Sequence, residues 1–118
     1  MRLAELRVDI VILACAISAG VHGALIPDHF HEGTGPGVGF LLAAVLPAGL
    51  AVLLTRSPTQ LALVGTAAVL VGLMASYALA VTTGLPVLHP EVEAVDGLAL
   101  VTKAVEAVGL ITAASLVR

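Results

Sequence analysis

The sequence predicts an all-α integral membrane protein built as one antiparallel four-helix bundle, and three observations carry that expectation. Hydrophobic residues make up 59% of the 118 residues and charged ones only 11%, with a mean hydropathy of +1.12, whereas a soluble domain carries about 25% charged residues. Four apolar stretches, over residues 8–27, 37–55, 60–82 and 95–117, each come near the roughly 20 residues that a hydrocarbon core requires. The joining segments are short, which makes successive helices antiparallel neighbours. The chain reads as a single domain over residues 1–118.

The first span carries small residues at Ala16, Gly20 and Ala24, a spacing that lets another backbone approach closely. Cys15, Ser18 and His22 share one stripe, because steps of three and four stay on one side of a helix. Pro27 lacks an amide proton and is expected to end or bend the helix. Arg2 and Arg7 before an apolar run, with Ile12-Leu13-Ala14-Cys15, loosely resemble a cleaved leader. The apolar run continues past Cys15, however, and a retained span is the reading adopted. A lone cysteine forms no internal disulfide, so Cys15 reads as a small packing residue.

Residues 29–39 contain Gly33, Gly35, Pro36, Gly37 and Gly39, a composition that favours a loop. The second span holds Pro47 near its middle, where a proline is expected to kink the helix. Arg56-Ser57-Pro58-Thr59 is a tight turn into the third span, which carries Ser76 and Tyr77 and stops at Thr82-Thr83-Gly84-Leu85-Pro86. The third link adds His89, Glu91, Glu93 and Asp96. Asp96 is placed to cap the fourth span by accepting backbone N–H groups. Within that span Lys103 and Glu106 lie on the same face as Asp96. A charge at the bilayer centre costs about 3 kcal/mol on insertion scales, so such residues face the bundle interior and pair.

Arg2, Arg7, Arg56 and Arg118 all fall at one end of such a bundle, and the first and third links have no Lys or Arg. Because cytoplasmic loops are enriched in basic residues, both termini are expected in the cytoplasm of a bacterial plasma membrane, with the His/acid links outside. The net charge of −3 suggests no nucleic-acid partner; the bilayer, and a homo-oligomer or larger membrane complex, are the expected partners. At about 1.5 Å per residue, His22, Tyr77, Lys103 and Glu106 lie roughly 8, 9, 12 and 16 Å below the outer surface. They can therefore converge in one outward-opening pocket.

Imidazole suits copper and zinc, and carboxylates complete such sites. The expected metal ligands are His22, His29, Glu32 and Glu106, with His31, His89, Asp28 and Glu91 as further ligands or entry-path residues. Tyr77, Lys103, Asp96 and Ser18 complete the pocket. The same residues are open to a structural reading, in which the histidines are interfacial polar groups and Lys103 and Glu106 fix helix register. Haem is not expected, since only His22 lies within a span and bis-histidine ligation needs facing pairs. A quinone site, or an accessory role in a membrane redox complex, stays open because a few polar groups in an apolar pocket suffice. Transport or proton conduction is a further alternative, and it requires an oligomer because the inner halves of the spans are almost wholly apolar. Turnover is less expected than sensing, storage, delivery or assembly.

His22-x4-Pro27-Asp28-His29-x2-Glu32, with Arg56-x-Pro58, Tyr77, Thr83-Gly84-Leu85-Pro86, Asp96 and Glu106, resembles a group of uncharacterised small four-helix membrane proteins of actinobacteria and related bacteria. That group carries a histidine, a Pro-Glu-His-x-x-Glu turn and a Gly-Leu-Pro turn at similar places. Here Asp28 stands for the usual Glu, Pro47 occupies the neighbourhood of a common Gln, and His31 is additional. The resemblance implies the four-helix topology and transfers no activity.

Overall fold

In the computed structural model, which describes residues 2–118, the chain forms five helices: α1 (Leu3–Ala24), α2 (Ile26–Glu32), α3 (Thr34–Arg56), α4 (Gln60–Thr82) and α5 (Gly97–Leu116). No strand occurs among the described residues; Leu85 and His89 form one isolated antiparallel bridge. α3, α4 and α5 are each long and apolar enough to cross a membrane, and α1 with α2, bent by 44°, is apolar enough as a pair to form either a broken fourth span or a re-entrant loop. The exterior agrees with that composition. Leu61, Val101 and Ile111 are 82%, 63% and 70% exposed, a distribution that suits lipid and not water.

α1 packs on α3 and α5, and α4 packs on the same two helices. Away from the His/acid links, Val11, Cys15, Leu54, Ala62, Leu63 and Ala113 form a sealed core. The Gln60 side chain closes that end: its amide donates to the Leu116 carbonyl at 3.1 Å and its oxygen accepts from the Arg118 amide at 2.8 Å. Cys15 and Ser18 are wholly buried, with His22 nearly so, as their shared stripe predicts. Gly109 of α5 sits where a Cβ would come within 2.6 Å of the Ala14 Cβ, so α1 and α5 meet almost backbone to backbone.

The first joint differs from the expected loop over residues 29–39. α1 stops at Ala24 because Pro27 has no amide to give the carbonyl of Gly23, and its ring crowds that carbonyl. Proline is tolerated in a first turn, so the chain re-enters a helix at once as α2. It then starts α3 at Thr34, three residues ahead of the expected start of the second span. Pro47 lies within α3 without ending it.

The glycines here serve close approach more than turning. A Cβ at Gly37 would overlap the Phe30 ring of α2, and one at Gly35 would overlap the Val87 carbonyl of the third link. Only Gly33 acts as a joint, as the C-cap of α2 and N-cap of α3.

These contacts set a clear contrast between two glycines of one helix. In a helix interior, Gly to Ala gains about 1 kcal/mol of propensity, and a Cβ at Gly49 meets nothing within 4 Å. Gly49→Ala is therefore expected to leave thermal stability in detergent unchanged or raised. Gly35→Ala is expected to lower it, because the methyl displaces the Val87 backbone; circular-dichroism melts of both variants check the difference.

Candidate metal centre

α2 and the third link close over the end of the helices where α1 and α4 finish and α3 and α5 begin. The 44° bend puts His29 and Glu32 one turn apart on α2, on the same side. The third link brings His89 to them through a tight reversal. Leu85 and His89 exchange backbone hydrogen bonds of 2.6 and 2.9 Å, and the Leu88 amide donates to the Pro86 carbonyl at 2.8 Å around Val87. Val87 has φ 71° and Gly84 φ 81°. Left-handed backbone is uncommon for a β-branched residue, and such strain, about 1–3 kcal/mol, concentrates at functional sites. The Glu93 amide donates to the Ala80 carbonyl at 2.7 Å and ties the link back to α4.

His29, Glu32 and His89 form one group whose ligand atoms all lie within 4.8 Å of one another. His89 Nε2 stands 3.5 Å from Glu32 Oε2, close to the edge of a tetrahedron with bonds of about 2.1 Å. Both imidazoles are buried, while Glu32 is exposed. In each ring Nδ1 faces a backbone carbonyl: Leu25 at 2.9 Å for His29 and Glu91 at 2.7 Å for His89. A carbonyl oxygen only accepts, so Nδ1 carries a proton, and in the neutral imidazole Nε2 then holds the lone pair. That is the arrangement by which a partner on one ring nitrogen fixes the other for a metal. Phe40 of α3 stacks on His29, with centroids 3.4 Å apart and planes at 14°, and holds the ring plane.

The other expected ligands are distributed differently. His22 lines the same cavity as His29, Glu32 and His89; its Nδ1 donates to the Ser18 carbonyl at 2.8 Å and its ring tilts against Phe40. Glu106 is completely buried and fully engaged. Its Oε1 accepts from Lys103 Nζ at 2.7 Å and its Oε2 from the Ser18 hydroxyl at 2.6 Å. His31 is exposed, and so is the Glu91 side chain, whose residue contributes its carbonyl to His89. Asp28 lies on the cavity wall, as does Asp96, which also caps α5 by accepting from the Ala99 amide at 2.7 Å. Lys103 Nζ sits 5.4 Å from the centroid of the Tyr77 ring.

Two residues outside the expected ligand set contribute. Glu93 Oε1 is 3.9 Å from His29 Nε2, and Phe40 supplies the stacking face. The spacing of Glu91 and Glu93 in an irregular link gives no period by which sequence could choose between them. The aromatic scarcity of the chain did hold a signal: Phe30, Phe40 and Tyr77, its only aromatics, all serve this end of the molecule. No protein-family model, curated protein or solved structure matches the chain.

Removing one partner of a buried ion pair leaves an uncompensated charge and costs about 3–5 kcal/mol, while replacing both is far milder. Lys103→Met is thus expected to destabilise the protein strongly, and Lys103→Met with Glu106→Gln to recover much of the loss. Unfolding of the two variants in matched detergent, against the unsubstituted chain, measures the difference.

Proposed function

We propose that this chain is a multi-pass bacterial plasma-membrane protein that binds a transition-metal ion, copper or zinc, at His29, Glu32 and His89. In this reading α1 with α2, α3, α4 and α5 make an antiparallel four-helix bundle in the bilayer. Arg2, Arg56 and Arg118 fall at the end opposite the histidines, so the positive-inside rule puts both termini in the cytoplasm and the site outside. The resemblance to small actinobacterial four-helix proteins supports the same topology.

One observation carries the metal reading: two buried imidazoles, each with Nδ1 already committed to a backbone carbonyl, have their metal-binding nitrogens grouped with one carboxylate. Two nitrogens and an oxygen suit zinc or copper better than magnesium or calcium, which take oxygen shells. Glu93, beside His29, is the candidate fourth ligand. His22, on the same cavity wall, supports the site from within, while Glu106 belongs to the scaffold. Its role in this reading is sensing, storage, delivery or assembly, alone, as a homo-oligomer or in a larger membrane complex.

The test is metal stoichiometry of tag-free protein in detergent. His29→Ala and His89→Ala are each expected to weaken zinc or copper binding by at least about tenfold. His31→Ala, whose side chain is exposed outside the group, is expected to bind as the unsubstituted protein does. Protons and metal compete for the same nitrogens, so loading is expected to fall as pH is lowered. Unaltered loading in both His29→Ala and His89→Ala contradicts the assignment.

A further inference from the structure

The histidines roof a cavity of about 590 Å³, far more space than an ion and a few waters of roughly 30 Å³ each require. It falls in the range of about 300–1,000 Å³ typical of sites for organic molecules. Its walls are mainly aliphatic, with Leu42, Leu46, Val69, Leu73 and Leu98 drawn from three helices. Polar groups are few and specific. Tyr77 lines the cavity, and its buried hydroxyl has no hydrogen-bond partner among the described residues. Leaving a buried hydroxyl unpaired is costly, and natural proteins seldom do so without a reason.

We propose that this cavity binds a membrane-soluble quinone, whose ring carbonyl accepts the hydrogen bond that Tyr77 has to give. An acceptor takes the one proton the hydroxyl has to give, and Lys103, whose Nζ stands 5.4 Å from the Tyr77 ring centroid, is itself a donor. The acceptor is uncharged, because Asp28, Glu32, Glu93 and Asp96 line the cavity and Lys103 is the only permanent cation among its lining residues, already paired with Glu106 at 2.7 Å. That balance disfavours a fatty-acid carboxylate or a phosphate. Phe40 also lines the cavity; one of its faces is stacked on His29 and its ring is tilted against His22, and a conjugated ring can meet it edge to face. His22 has the complementary role: with Nδ1 donating to the Ser18 carbonyl, its Nε2 is an acceptor for the hydroxyl of a reduced ring. The aliphatic walls take the tail.

This inference does not rest on the metal assignment, and its test separates the two. A short-tailed benzoquinone is titrated into detergent-solubilised protein containing a chelator, with bound quinone read from its absorbance after filtration against a micelle-only blank. Saturable binding near one per chain is expected. Tyr77→Phe keeps the ring and removes only the hydroxyl, and is expected to weaken binding by about five- to tenfold, the value of one hydrogen bond. Leu73→Trp fills the cavity and is expected to abolish saturable binding. Both variants are expected to keep the helical circular-dichroism spectrum and the detergent melting temperature of the unsubstituted protein, which shows that they are folded. No saturable binding above the micelle blank, or full affinity in either variant, overturns the proposal.

Discussion

A carboxylate enclosed by helices that face lipid has to be neutralised by groups brought to it, and Glu106 receives two. Lys103, one turn away on α5, supplies the charge, and Ser18 of α1 supplies a hydroxyl at 2.6 Å. The first contact is local; the second joins helices 88 positions apart in sequence. In a region without water each such bond is hard to replace, so the pair holds α1 and α5 at one height and one rotation. Gly109 against Ala14 lets the helices come close enough for the hydroxyl to reach. Everything toward the His/acid end inherits that register: His22 lies one turn beyond Ser18, and α2 follows from it.

Above the ion pair the molecule changes character. Below it the helices meet in a sealed aliphatic core; above it they part around the cavity and are bridged by α2 and the third link. Neither bridge is a free loop. α2 is held by Phe30 over Gly37, and the link by the carbonyl of Val87 over Gly35. The link also presents His89 through a strained reversal at Val87. Such anchoring orders the imidazoles in advance, which would reduce the cost of binding an ion there.

Most of the architecture was legible in the sequence, and the parts that were not have physical causes. Length and apolarity give the long helices directly, and the Asp96 cap and the Lys103–Glu106 pair follow from spacing alone. The segment after Pro27 reads as a loop because glycine is a poor helix former. Packing outweighs propensity there: Gly35 and Gly37 are helical because only a missing side chain lets α3 meet Phe30 and Val87. The candidate ligands were visible as residue types, but His29 and Glu32 were expected in a loop and not one turn apart on a helix. Which other residues join them was not visible, since the conformation of an irregular link has no period to read. Depth along the helices suggested that Glu106 reaches the histidines; the structure instead gives both its oxygens to Lys103 and Ser18.

X-ray absorption at the zinc edge of the loaded, detergent-purified protein tests the central claim most directly. The account calls for a shell of nitrogen and oxygen at about 2.0–2.2 Å, with the outer-shell scattering of two imidazoles. A shell containing sulfur, for which Cys15 is the only cysteine source, or one of oxygen alone, contradicts it.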